Sequence, residues 1–266
     1  VTGALLARNF RRHGRLLGAL LGGLVVLEML IVWFGARLDA GPGLQNLVRQ
    51  IVPPQFHALL ASQIDLLSFA GLIGFGFQHP IVLAATAAFA IVIATIPSGE
   101  LESGFLDLLL ARPVPRESYF LAVLGPLVAA ALLPPCAVLV GAALGLAIVT
   151  TPVQVSWTRY LPAAAELAAL LLSIGGYTLL LACRARRRGT AAAWAAGITL
   201  VFFWIDALAE IWHPLELPSR LSTFHYFRPM QAAASGGVSA EHLAVLLGVF
   251  AASVSLALVA FRRRDL

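Results

Sequence analysis

The stretch SGELESGFLDLLLARPVPRE, residues 98–117, packs acids, arginines and two prolines between two long apolar runs, about 79–97 and 118–150. A helix needs roughly 20 apolar residues to cross a bilayer's hydrocarbon core, and both runs are of that order or longer. A charged segment so flanked reads as a connection between two membrane spans that return to the same face. The composition agrees. Hydrophobic residues make up 60% of the chain and charged residues 12%, with a mean hydropathy of +0.89. A soluble domain carries about 25% charge. The 266 residues could enclose one large core, but not this much apolar surface, so the sequence reads as an integral membrane protein.

Working outward gives about six spans, at 16–36, 79–97, 118–150, 161–182, 191–212 and 240–261. Ahead of the first, residues 4–15 place Arg8, Arg11, Arg12 and Arg15 among apolar residues at helical spacing, which suits a helix lying in the membrane interface. No small-residue cleavage site follows the basic start, so the first apolar run is expected to be a retained span. Residues 37–60 carry Gly41, Pro42, Gly43, Pro53 and Pro54 and read as a loop. The short, glycine-rich run 64–78 reads as a re-entrant or interfacial helix. The run 118–150, interrupted by Pro134 and Pro135, has residues for one tilted, kinked span.

All eighteen basic residues are arginine. If the N-terminus is cytoplasmic, thirteen of them fall on the inner side, at 8, 11, 12, 15, 112, 116, 184, 186–188 and 262–264, and five on the outer side, at 37, 49, 159, 220 and 228. That asymmetry predicts both termini and residues 98–117 inside. Trp33, Trp157 and Trp212 then fall at the outer boundary, where indoles favour the headgroup level. The same clustering at span ends makes the net charge of +5 topological and argues against a nucleic-acid partner.

Several chemistries are excluded or unsupported. A P-loop needs a lysine for the β- and γ-phosphates, and the chain has none. No H-E-x-x-H is present, the six histidines are scattered, and Cys136 and Cys183 make neither a metal site nor an evident disulfide. No catalytic residue and no metal ligand is therefore assigned, and no cofactor is expected on this chain. Acids inside apolar runs carry a functional hypothesis by default, and Glu28, Glu166 and Asp206 are candidates for a translocation path, with Glu210 nearer an interface. Structural pairing inside the bundle is the competing reading.

Within the opening stretch, a helix over 100–111 would put Glu100, Ser103, Gly104, Asp107 and Ala111 on one polar, small face, with Leu101, Phe105, Leu108 and Leu109 alongside as an apolar stripe. Pro113 and Pro115 would stop it, and Arg112 near its end suits the dipole. Such a helix is either a surface connector or a docking element.

The run ELESGFLDLLLARPVPR resembles the cytoplasmic signature of ABC-2 type transporter permeases, roughly Glu-x-Glu-x-Gly-Thr-Leu-Glu-Leu-Leu-Leu-x-x-Pro-x-Ser-Arg. Glu100, Glu102, Gly104, Leu106, Leu108, Leu109, Leu110, Pro113 and Arg116 match in register. Asp107 stands for Glu, Phe105 for Thr and Pro115 for Ser. The segment FHYFRPMQAAASGG before the last span and the closing FRRRDL are similar in kind to family features. The resemblance implies an all-α permease with an N-terminal interfacial helix, a cytoplasmic coupling helix and outer re-entrant helices at 213–237. It also implies a second permease chain, identical or not, and two copies of an ATPase subunit that carries ATP and Mg. The coupling role would fall to Glu100, Glu102, Gly104, Phe105, Asp107, Leu109, Pro113 and Arg116. The expected location is a bacterial-type inner membrane and the expected direction export. The alternatives are a gradient-driven carrier, which would need internal repeats and coupled acids, and a membrane-embedded enzyme, which would need clustered catalytic residues.

Overall fold

A computed structural model describes residues 2–39, 68–111, 115–150 and 155–263. These residues are helical with no strand among them. Six stretches are long and apolar enough to cross a membrane, 3–37, 69–94, 116–148, 157–184, 188–209 and 240–262, and the protein is a multi-pass membrane protein. Of the loop expected at 37–60, residues 37–39 instead belong to the first helix, and 40–60, together with Arg112, Pro113 and Arg264, lie outside the described residues.

Helix α1 (Thr2–Asp39) is one uninterrupted helix of 38 residues, so 4–15 and 16–36 do not separate into an interfacial helix and a span. The reason is local. No proline or capping residue divides the run, and Leu5, Asn9, His13, Leu24, Glu28 and Val32 continue a single buried stripe along it. At 1.5 Å per residue it is about 57 Å long, well beyond the roughly 30 Å hydrocarbon thickness. Its basic first turns project past the apolar region, with Arg11, Arg12 and Arg15 exposed.

Helix α2 (Phe69–Gly76) is capped by Ser68, whose hydroxyl accepts from the Gly71 amide, and packs on α1. A turn at His79 opens α3 (Pro80–Ala94), where Pro80 sits in the first turn and the missing N–H costs nothing. Two short helices follow, α4 (Ile96–Glu102) and α5 (Phe105–Leu110). Helix α6 (Arg116–Ile148) runs through Pro126, Pro134 and Pro135 without a break. Its Gly141 and Gly145, spaced as G-x-x-x-G, let α1 approach closely. A Cβ on Gly141 would lie 2.7 Å from the Val25 carbonyl oxygen, and one on Gly145 would lie 2.7 Å from Val32 Cβ.

Helix α7 (Leu161–Arg184) is the centre of the bundle, packed by α11 (Ala240–Arg262), α6, α3 and α8 (Arg188–Ala209). Small residues make this possible: Gly175 receives Leu127, and Gly176 lies against the Phe250 backbone. Ser173 donates to the Leu246 carbonyl at 2.7 Å, tying α7 to α11, and the Tyr177 and Thr199 hydroxyls meet at 2.6 Å, tying it to α8. Between α8 and α11 the chain makes short 3-10 turns at His213–Leu215 and Thr223–Tyr226 and two short helices, α9 (Glu216–Ser219) and α10 (Pro229–Ser235).

Candidate functional site

Residues 98–111 and 115–117 sit where α1, α3, α6, α8 and α11 end together, and their geometry departs from a single helix over 100–111. Gly104 adopts φ +70°, a left-handed conformation that glycine reaches without a side-chain clash, and it divides the segment into α4 and α5. The shared face of Glu100, Ser103, Gly104, Asp107 and Ala111 is therefore not formed. Glu100 is only 2% exposed, while Asp107 and Ala111 face outward.

Glu100 is an anchor point. Its Oε1 pairs with the Arg8 guanidinium from α1, and its Oε2 accepts from the Tyr119 hydroxyl of α6 at 2.6 Å. Both carboxylate oxygens thus have charged or polar donors, the condition for burying a carboxylate cheaply. The same Arg8 guanidinium lies over the Phe105 ring, 4.1 Å from its centroid, so one arginine holds both α4 and α5 to α1. Behind Glu100, Asn9 donates to the Ala122 carbonyl at 3.1 Å.

Glu102 faces a different helix. Its Oε2 accepts from the Arg188 backbone amide at 2.9 Å, at the N-terminus of α8, where an anion is favoured. The Arg188 side chain reaches back to Thr95 Oγ1 at 3.3 Å and the Val92 carbonyl at 3.0 Å, closing the C-terminal end of α3. Arg116 donates to the Arg262 carbonyl at 2.7 Å and Arg262 pairs with Glu117, joining α6 to the end of α11. Leu106 is buried in the lower core with Phe89, Ile93, Tyr119 and Phe120, and Leu109 packs beside it. Asp107 and Leu108 are left facing outward, the leucine 72% exposed. Sequence reasoning named Glu100, Glu102, Phe105 and Arg116 but not Arg8, Tyr119 and Arg188 as their partners. Each partner lies on another element, and no local spacing signals it.

The three acids read as path candidates do not form one set. Glu28 is 1% exposed in α1, packed against Gly76 and Gly141, and neither carboxylate oxygen has a hydrogen-bond partner among the described residues. Glu166 and Asp206 converge instead on Arg228. The Arg228 amide donates to Glu166 Oε2 at 2.7 Å, and its guanidinium donates to Asp206 Oδ1 at 3.0 Å and to Glu210 Oε1 at 3.4 Å. His225 stands 3.6 Å from Asp206, and His242 stands 3.8 Å from Glu166. These contacts tie Arg228 to α7 and α8 and bring His242 of α11 beside the same Glu166.

The family described as ABC-2 family transporter protein matches residues 8–266 of the chain. No curated protein and no solved structure matches it.

Proposed function

The chain belongs to the ABC-2 family of transporter proteins, and from that premise we propose that it is the permease of an exporter driven by a separate ATP-binding cassette ATPase, with α4 and α5 as the seat of that ATPase. The observation that supports this reading is the contrast within α5. Asp107 and Leu108 are turned outward on a six-residue helix, while the residues around them are fastened to α1, α6 and α8 by Arg8, Tyr119 and Arg188. An exposed leucine beside a carboxylate on a rigid mount is a docking knob, and its mount carries displacement into the spans.

The proposed partners are two copies of the ATPase, which bring ATP and Mg, and a second permease chain, in a bacterial-type inner membrane with α4 and α5 on the cytoplasmic side. Closure of the two ATPases on ATP would press on α5. The permease then responds by as much as its contacts differ between the two states. Glu102 and Glu100 contribute by passing the displacement to α8 and to α1. Gly104 and Phe105 set the angle between the two short helices, Leu109 seats α5 on the core, and Arg116 fixes the start of α6.

The test is a double change, Asp107→Arg with Leu108→Asp, in the chain expressed with the ATPase that co-purifies with it. Both side chains are exposed, so the variant is expected to insert and melt like the wild type. ATPase recovery and permease-stimulated hydrolysis should fall at least tenfold. Unchanged recovery and stimulation would overturn the docking role.

A further inference from the structure

Cavities of about 300–1,000 Å³ hold small ligands, and at the end of the bundle away from α4 and α5 the structure has one of ≈ 700 Å³ between α2, the Trp157–Tyr160 turn and α10. Part of its lining is apolar and small, with Ala70, Gly71, Gly74, Phe75, Met230 and Ala234. The rest includes Arg159, Arg228, Glu210, Gln78 and Gln231.

The charges in this lining are not equally available. Arg228 is spent on Asp206 and Glu210 through its terminal nitrogens. Arg159 donates its Nε to the Ala233 carbonyl at 3.1 Å, which fixes the guanidinium against α10. None of the carboxylates that form ion pairs among the described residues pairs with Arg159. Its terminal N–H groups are thus held at the cavity with no described counter-charge. A planar guanidinium in this setting is suited to two-point contact with a carboxylate or phosphate. The same cavity has apolar lining that hydrocarbon would cover.

We propose that this cavity binds an amphiphile with one acidic head group, its carboxylate or phosphate on Arg159 and its hydrocarbon along Ala70, Phe75, Met230 and Ala234. The site needs no ATPase and stands or falls separately from the docking role of α5.

Native mass spectrometry tests it on the full chain released from phosphatidylcholine nanodiscs doped with phosphatidylglycerol in one arm and palmitate in the other. The wild type is expected to retain one acidic amphiphile in preference to phosphatidylcholine. Retention of phosphatidylglycerol points to a bilayer source, and retention of palmitate to a free one. Arg159→Gln should lower retention at least fivefold. Ala234→Trp, which fills the cavity and leaves the charge in place, should do the same. Arg220→Gln, at an exposed arginine outside the cavity, should leave retention unchanged. Equal retention by wild type, R159Q and A234W would overturn the site, as would retention of neither probe or an equal loss in R220Q.

Discussion

At the scale of single residues, Glu100 changes meaning between sequence and structure. Its position in the acidic stretch suggests a charge offered to a partner. Its burial against Arg8 and Tyr119 makes it internal. Removing one member of a wholly buried pair costs about 3–5 kcal/mol because the other charge is stranded. Here the Arg8 side chain remains 34% exposed and stays partly solvated. Glu100→Gln is therefore expected to cost about 2 kcal/mol, less than the fully buried case. A double-mutant cycle of Glu100→Gln with Arg8→Gln, read from thermal unfolding in detergent, should give a coupling of about 1 kcal/mol or more. Additive losses would mean that the two residues do not act as a pair. The acid was legible in the sequence and its partner was not. Arg8 lies 92 positions away, and among so many arginines at span ends nothing local selects it.

At the scale of elements, Gly104 decides the form of the site. Apolar periodicity ran through it and suggested one helix over 100–111, because periodicity does not register a single residue of positive φ. With Gly104 left-handed, α4 turns Glu100 inward and α5 turns Asp107 and Leu108 outward. A Cβ at this position would meet nothing within 4 Å, so the cost of Gly104→Ala is backbone strain alone, about 1–2 kcal/mol. The variant should remain inserted but lose permease-stimulated ATP hydrolysis several-fold, because α5 would be re-aimed. Retained stimulation would show that the angle between the helices is unimportant. The continuity of α1 has a similar origin. A basic amphipathic start suggests an interfacial helix, but only a break in the backbone would separate it from the span, and the buried stripe from Leu5 to Val32 runs on without one.

At the scale of the whole molecule, the two ends of the bundle carry different polar networks. One end joins α1, α3, α4, α6, α8 and α11 through Arg8, Glu100, Glu102, Arg116, Arg188 and Arg262. The other joins α7, α8 and α11 through Arg228 and its acids. The first and last helices therefore bring Arg8 and Arg262 to the same end. Single cysteines, introduced after Cys136 and Cys183 are replaced by alanine, test which end faces the cytoplasm. Arg187→Cys should resist a membrane-impermeant maleimide in intact cells and react after lysis. Arg220→Cys should react in intact cells. The reverse pattern would invert the topology and place α5 where no cytoplasmic ATPase could reach it.

The sequence by itself determined the class of this protein. Apolar runs of spanning length and arginines at their ends are local properties, and a bilayer imposes the same demand on each run separately. It also marked 98–117 as the odd segment between two spans. Tertiary structure alone decided which charges are engaged and which are left exposed. Glu100, Glu166 and Asp206 are engaged by partners that residues 8, 228, 225 and 242 bring from other helices, while Asp107 and Leu108 are left exposed. Pairing of that kind is set by which helix ends meet in space, and no periodicity along one helix encodes it.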